Sequence, residues 1–223
     1  MKLKLITIGI LVLMLSFAIS SNALGETENH QFYLMIGGIN LSIDSDQLGS
    51  IYQREDDTTI NVLLPELKSG SGWSVVFGER IDRLVGEVEY QQSSHDGKGV
   101  DMHADFQMLG ANVKYHLTDP EKALSLYTKF SYAKPLLKIK DAYYEYDSAS
   151  NLIDTGDAKI KGNTYGLGLG ISFKTFSQLY LDGGVTYYRS DLHRVKVDAG
   201  TYKPNPSIKV DSYVYNVGLK YVF

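Results

Sequence analysis

The sequence contains no cysteine in its 223 residues. This absence excludes a disulfide-bonded scaffold, thiol chemistry and metal sites built on cysteine. It suits an exported protein that folds in an oxidising compartment. Tryptophan is also scarce, with one residue against 17 tyrosines. The formal net charge of −4 argues against a general nucleic-acid-binding protein, because lysine and arginine are the main ligands of the phosphate backbone.

Continuous hydrophobic sequence is limited to one long run, Leu5–Ile19, near the N-terminus. The run is shorter than the roughly 20 residues that a membrane-spanning helix needs. Lys2 and Lys4 precede it, and the small residues of 21–23 (SNA) follow it. This arrangement predicts a secretory signal peptide over residues 1–23, cleaved after Ala23, in preference to a retained membrane anchor.

Helical periodicity, internal repeats and domain linkers are missing from residues 24–223, so we predict a single domain there. Apolar and polar residues alternate instead, which places successive side chains on opposite faces of β-strands. We predict eight strands, at about Phe32–Ile43, Trp73–Glu79, Leu84–Gln92, Asp101–Leu117, Leu124–Ala133, Thr164–Phe173, Gln178–Arg189 and Tyr213–Phe223. Short connections alternate with long loops such as Asp44–Ser69 and Asp141–Asp157. Ten strands is the alternative if a long loop contains a further hairpin.

The final strand, Tyr213–Phe223, carries the most specific pattern, because apolar or aromatic residues occupy every second position up to the terminal Phe223. It resembles the C-terminal strand of bacterial outer-membrane β-barrels. That resemblance implies that Tyr221 and Phe223 form a signal for the barrel assembly machinery. The whole chain resembles the small eight-stranded families: the OmpA transmembrane domain, the OmpX/Ail adhesins and the opacity-type surface antigens.

The resemblance implies an all-β fold, namely a transmembrane antiparallel up-and-down β-barrel of eight strands formed by residues 24–223 in the bacterial outer membrane. The alternation of short turns and longer loops agrees with such a barrel. Alternation alone does not distinguish it from a soluble barrel, which would bury its apolar face. The signal sequence and Phe223 favour the membrane.

The polar faces of the predicted strands carry six charged residues. They are Glu87, Glu89, Lys114, Lys129, Asp182 and Lys220. An eight-stranded barrel has room inside only for its own side chains or one small ligand. We therefore predict that these charges pair and fill the lumen, with Lys220 pairing to Glu87 or Glu89. The alternative is that the two glutamates form the acid/base pair of a glycosidase.

Two loops contain the residue types of a hydrolase triad, in 93–96 (SSHD) and around Ser190, Asp191 and His193. Neither spacing is diagnostic, because triads are assembled in space. Glycines alternate in the sixth predicted strand, but they lack the spacing of a nucleotide-binding loop and suit small inward positions beside bulky neighbours such as Tyr127 or Tyr180. We predict no catalytic, cofactor-binding or metal-binding residues and a non-enzymatic protein. A lipid A-modifying enzyme and a narrow channel for small solutes remain alternatives.

The loops provide the remaining candidates for binding. Valine or isoleucine alternates with lysine near residues 138–140, 159–161, 195–197 and 208–210, which predicts hairpins that continue above the membrane. Tyr143, Tyr144 and Tyr146 lie at one predicted tip. We expect these loops to support a structural or adhesive role through a host or surface ligand. Outer-membrane lipid, lipopolysaccharide and the assembly machinery are further expected partners; nucleic acid is not.

Overall fold

The computed structural model describes residues 30–44, 50–53, 59–62, 65–146, 152–197, 200–202 and 207–223. The predicted signal peptide lies outside these residues. None of the described residues belongs to a helix that is long and apolar enough to cross a membrane.

The described residues form eleven β-strands. They are β1 (His30–Asp44), β2 (Ser50–Gln53), β3 (Thr59–Val62), β4 (Gly70–Ile81), β5 (Leu84–Asp96), β6 (His103–His116), β7 (Leu124–Tyr146), β8 (Leu152–Lys174), β9 (Leu179–Val197), β10 (Gly200–Tyr202) and β11 (Ile208–Val222). Eight of them close into an antiparallel barrel in the order β1-β4-β5-β6-β7-β8-β9-β11. Pairing of β11 with β1, from Tyr33 opposite Val222 to Asp44 opposite Asp211, completes the wall. The prediction of eight strands is therefore confirmed.

The connections define two ends of the barrel. The short-turn end carries the connections 82–83, 117–123 and 175–178, and the long-loop end carries the other connections. In the tightest of the short turns Asp82 has a φ of 54°, the conformation that two-residue hairpin loops require. Closure leaves the wall without a free sheet edge, so the backbone N–H and C=O groups of the wall are hydrogen-bonded within it. A β-structure can cross the hydrocarbon core of a membrane only under this condition.

The segment 45–69, predicted as a loop, contains the short strands β2 and β3. They pair with each other, and β3 also pairs with the far end of β7, from Thr59 opposite Tyr146 to Val62 opposite Tyr143. This hairpin adds to the long-loop end without entering the wall, so the barrel has eight strands and not ten.

The prediction of a long loop over Asp141–Asp157 is wrong for most of its length. β7 and β8 are each 23 residues long, and strand pairing continues to Tyr146 opposite Leu152. The prediction that these strands continue as a hairpin is confirmed. The polar residues that suggested a loop lie in paired strands, because one face of this hairpin meets water.

Polarity reverses along the barrel. From the short-turn end to mid-barrel, apolar side chains point outward and charged side chains point inward. Towards the long-loop end the interior becomes an apolar core that includes Leu137, Ile139, Ile160, Val195 and Val210, all buried. This core explains the alternating valines and isoleucines, which point into a barrel that is still closed at that height.

An aromatic girdle marks the level of the reversal on the outer surface. It consists of three pairs whose ring centroids are 5.2–5.3 Å apart, namely Trp73–Tyr90, Tyr132–Tyr165 and Tyr187–Tyr213. From Tyr165 to Phe173 the outward residues of β8 are apolar. This nine-residue span matches the roughly 9–11 residues with which a tilted strand crosses a bilayer.

The outward face of β1 is not the one that the sequence pattern favours. Tyr33, Met35 and Leu41 alternate on one face of this strand, which predicts that they point outward like the apolar faces of the other strands. The structure buries all three in the interior and exposes Ile36 instead, so this prediction is wrong. Phe32, Leu34 and Ile36 are also apolar, so both faces of this part of β1 have the same character. The pattern could not decide which face meets lipid.

Candidate functional site

The structure brings all six predicted lumen charges into the interior. Glu87 and Glu89 lie on β5, Lys114 on β6, Lys129 on β7, Asp182 on β9 and Lys220 on β11. Each residue is at most 8% exposed. We call these six residues the lumen cluster. Three carboxylates and three ammonium groups make it formally neutral, which limits the cost of removing charges from water.

Short ion pairs hold the lumen cluster together. Lys114 Nζ lies 2.6 Å from Glu87 Oε1, and Lys129 Nζ lies 3.4 Å from Glu89 Oε2. Lys220 Nζ lies 3.4 Å from Asp182 Oδ2, while Lys114 Nζ approaches the other oxygen of Asp182 at 3.9 Å. Asp182 therefore joins the Lys114 and Lys220 sides of the lumen.

The partner predicted for Lys220 is incorrect, because the structure pairs it with Asp182 and not with Glu87 or Glu89. β11 is hydrogen-bonded to β9, with Gly218 opposite Asp182, so Asp182 is on the adjacent strand. The glutamates lie on β5, three strands around the barrel from β11. Sequence alternation indicated which face Lys220 occupies but not which strand would be its neighbour.

Neutral groups donate hydrogen bonds to the lumen cluster, and the sequence did not predict these contacts. Asn112 Nδ2 donates to Glu87 Oε2 at 2.9 Å and to Glu89 Oε2 at 2.7 Å. Tyr127 donates its hydroxyl to Asp182 Oδ1 at 2.6 Å, and Tyr33 donates to Glu87. Asn112 and Lys114 share one face of β6, and Tyr127 and Lys129 share one face of β7. Their position two residues from a predicted inward lysine is the sequence signal that could have identified them.

Glycines of β8 make room for the tyrosines of the lumen. A side chain at Gly170 would collide with the Tyr127 ring, and one at Gly166 would collide with Tyr188. This confirms the expectation of small residues beside bulky inward neighbours. Lys114 Nζ lies 4.5 Å from the centroid of the Tyr127 ring, so the position that Gly170 allows also provides a cation–π contact.

Two small cavities adjoin the lumen cluster. One of about 20 Å³ opens near the short-turn end beside Lys114, Asp182 and Lys220, and one of about 10 Å³ lies beside Glu89. Each holds no more than about one water molecule. Glu87 and Glu89 are paired and share Asn112, and neither cavity has room for a sugar ring. The geometry therefore gives no support to a glycosidase site.

The 93–96 segment does form a serine–histidine contact. Ser93 Oγ lies 2.9 Å from His95 Nε2, and His95 Nδ1 lies 2.9 Å from the carbonyl oxygen of Lys68. The carbonyl accepts only from a protonated Nδ1, so Nε2 accepts from Ser93. Burial lowers the pKa of His95, and the hydrogen bond to Lys68 opposes that shift.

Ser93 and His95 are buried, and neither lines the cavities beside the lumen cluster. His95 instead fixes the backbone at Lys68, and the neighbouring Leu67 packs into the apolar core. The contact fastens the 65–69 segment to the end of β5. The second candidate, His193, is half-exposed and contacts the carbonyl of Asp191 at 3.1 Å. No group of three potential metal ligands occurs in the described part of the chain.

The remaining candidates lie at opposite ends of the molecule. Tyr143, Tyr144 and Tyr146 belong to β7, where their backbone pairs with β3 on one side and β8 on the other. Tyr221 and Phe223 lie on the outer surface of the short-turn end, 45% and 65% exposed, with ring centroids 5.4 Å apart. Phe223 N donates to the Phe32 carbonyl at 2.9 Å, which extends the β11–β1 seam by one residue.

Comparison with known proteins gives the same architecture. The family model described as "Outer membrane protein beta-barrel domain" matches residues 10–223. The solved Neisserial surface protein A is 15% identical, with 88% of this chain and 100% of that chain covered and a TM-score of 0.55. Ail of Yersinia pestis is 12% identical (87% and 99% covered, TM-score 0.49), and the outer membrane protease OmpT of Escherichia coli is 10% identical (87% and 96%, 0.41).

Identities this low show the fold alone, and the TM-scores of Ail and OmpT carry no functional argument. No curated protein matches the sequence. The family match and the closed eight-stranded wall confirm the resemblance drawn from the sequence.

Proposed function

The chain belongs to the outer membrane protein β-barrel family, and on that basis we propose that it is a non-enzymatic surface protein that acts through its long-loop end. The barrel crosses the outer membrane between the aromatic girdle and the short-turn end. With short turns on the periplasmic side, the usual arrangement of such barrels, the long-loop end faces the exterior of the cell.

The filled interior is the observation that supports this proposal. The lumen cluster occupies the membrane-spanning half, and the apolar core occupies the half beyond it. The cavities beside the cluster hold about 20 and 10 Å³, which is too little for a hydrated ion to pass or for a substrate to bind. The outer surfaces are therefore what the protein offers to a partner.

The long-loop end is supported by packing beneath it. β7 and β8 continue 13 residues or more past Tyr132 and Tyr165, and the inward residues up to Ala142 and from Ala158 pack into the apolar core. β3 covers the edge of β7 near Tyr144. A packed extension of this kind presents side chains in fixed positions, which lowers the entropy lost on binding a ligand.

Bilayer conductance tests the proposal against the channel alternative. We expect the refolded protein to give a closed trace, because the lumen cluster and the apolar core both block the axis. Correct folding is verified by heat-modifiable migration in gels. A stable conductance from folded protein would show an open path and overturn the filled-lumen interpretation.

Mass spectrometry of lipid A tests the enzyme alternative. Lipid A from cells with and without the protein should be identical in mass. A loss or gain of an acyl chain or headgroup that depends on the protein would show catalysis.

Binding assays on cells that display the protein test the role of the long-loop end. Replacing 143–146 (YYEY) with Ser-Gly-Ser-Gly should weaken attachment to host cells or matrix proteins. The same replacement in the short turn 118–121 (TDPE) should leave attachment unchanged. Equal attachment by both variants and the parent protein would exclude the tip as the binding surface.

A further inference from the structure

Five cationic residues form a compact patch on the outer wall beyond the aromatic girdle. They are Lys138 on β7, Lys159 and Lys161 on β8, and Arg194 and Lys196 on β9, and we call them the cationic patch. Lys138 lies opposite Lys159, which in turn lies opposite Lys196. Lys161 lies opposite Arg194 in the next row. With strands about 4.8 Å apart and same-face residues about 6.6 Å apart, five cations occupy an area of roughly 10 by 7 Å.

A β-bulge at His193 brings two of the five cations, Arg194 and Lys196, into this patch. Lys161 pairs with Arg194 and Gly162 with Leu192, so His193 is an extra residue in β9. Before the bulge Tyr188, Ser190 and Leu192 point inward, and after it Val195 and Val197 do. If the same residues formed a regular strand with no bulge, alternation from Leu192 would point Arg194 and Lys196 into the apolar core. The bulge turns them outward beside Lys159 and Lys161.

The five cations of the patch form no ion pair with a described carboxylate, since none lies within 4.0 Å of one. Asp105 on β6 lies opposite Lys138, but its carboxylate accepts a hydrogen bond from the Ser94 hydroxyl at 2.9 Å and lies 3.7 Å from His103. Asp157 accepts a hydrogen bond from the backbone of Asp141, and Asp191 lies opposite Lys209 in the β9–β11 pairing. Like charges directly opposite one another on neighbouring strands are unfavourable, so the row of Lys138, Lys159 and Lys196 indicates an external anion that offsets the repulsion.

The distance of the cationic patch from the aromatic girdle indicates which kind of anion it binds. Tyr165 marks the girdle on β8, and Lys161 and Lys159 lie four and six residues beyond it. With strands tilted by about 40°, these distances correspond to about 10 and 15 Å above the rings. Aromatic girdles lie at the interface, so the patch stands among the headgroups of the outer leaflet and faces sideways towards neighbouring lipid.

We infer that the cationic patch binds the phosphorylated saccharide headgroup of an outer-leaflet glycolipid. Two rows of cations match a headgroup that carries more than one phosphate, and the exposed tyrosines below contact its acyl chains. Tyr132 and Tyr165 lie under the patch on β7 and β8. A barrel without any extracellular binding partner would still hold lipid at this position.

Equilibrium binding to purified lipid A tests the inference. Folded protein in an uncharged detergent is titrated with fluorescently labelled lipid A that carries both phosphates, and with the same lipid A after dephosphorylation. We expect tight binding to the first only, weakened by added salt because the contact is ionic. Equal affinity for the two lipids would overturn the inference. Full displacement by millimolar inorganic phosphate would also overturn it, by indicating a site for free phosphate.

Matched variants locate the site. Lys159→Gln with Lys196→Gln should weaken binding about 30-fold, since a cation near an anionic membrane surface contributes roughly a factor of five or more. Lys159→Arg with Lys196→Arg should bind within about threefold of the parent. Lys68→Gln with Lys98→Gln removes the same charge from the long-loop end on the β4–β6 side and should leave affinity unchanged. Equal losses in the two glutamine variants would show that only net charge matters.

Discussion

At the scale of single residues, charge pairing in the lumen determines how much one substitution costs. Lys220→Met removes one of the two ammonium groups near Asp182 and leaves Lys114 Nζ at 3.9 Å. Breaking a buried pair in this way costs about 3–5 kcal/mol, because the remaining charge stays buried. We expect the free energy of unfolding, measured with urea on protein refolded into lipid vesicles, to fall by that amount.

A double substitution measures the direct coupling between Lys220 and Asp182 apart from the rest of the lumen cluster. Lys220→Met with Asp182→Asn should cost less than the sum of the two single changes, since neither partner is then left charged alone. The exposed Lys122→Met serves as the control and should change stability by less than about 0.5 kcal/mol. Additive losses would contradict direct coupling between Lys220 and Asp182.

His95 should make the long-loop end sensitive to acid. Burial lowers its pKa in the folded protein below the value of about 6.5 in the unfolded chain. The unfolded chain therefore takes up the proton first as the pH falls, so this contribution to stability is complete above pH 6.5 and decreases below it.

Hydrogen exchange at pH 5 and pH 7.5 tests this prediction. Protection of the 65–69 and 93–96 backbone should be lower at pH 5 in the parent protein, after correction for intrinsic exchange rates. His95→Gln should make the protection at these segments nearly independent of pH, whereas the half-exposed His193→Gln should leave the parent's dependence intact. If the protection of these segments still depends on pH in His95→Gln, groups other than His95 cause that dependence.

At the scale of elements, the bulge in β9 accommodates one extra residue without exchanging the two faces of the strand. Deleting His193 joins Leu192 directly to Arg194, and regular alternation then keeps Val195 and Val197 in the apolar core and Arg194 and Lys196 outside it. We therefore expect the strand to stay paired beyond Leu192 without the bulge.

Hydrogen exchange also measures this effect. The deletion should keep amide protection over residues 194–197, because the shortened strand alternates regularly from Leu192. His193→Ala keeps the extra residue and should also retain protection. Loss of protection beyond Leu192 in the deletion variant would mean that the pairing of β9 with β8 requires the extra residue.

The alternation of side chains allowed the sequence to predict the barrel strands but not their full length. Thr164–Phe173 was visible because glycine and serine alternate with large apolar residues. The preceding part of β8 carries lysine and aspartate on its outer face, which is equally typical of a loop. This part of β8 forms a strand and not a loop because it pairs with β7 and β9, which lie elsewhere in the sequence.

At the scale of the whole molecule, export should precede folding. The lysines at positions 2 and 4, the apolar run and the small residues at 21–23 predict cleavage after Ala23. N-terminal sequencing of the protein from isolated outer membranes should therefore begin at Leu24. Ala23→Arg should block processing and leave the longer precursor, whereas Asn22→Gln should be processed. An N-terminus at Met1 in the folded protein would indicate a retained segment.

The sequence by itself determined that the chain forms membrane-spanning strands with one apolar and one polar face, because alternation is a local property of each strand. It also placed all six charges of the lumen cluster on the inward faces. The tertiary structure decided the pairing of Lys220 with Asp182, the inward orientation of Tyr33, and the β-bulge that turns Arg194 and Lys196 outward. These features depend on which strands become neighbours and in what register, and barrel closure brings together residues that are distant in the chain.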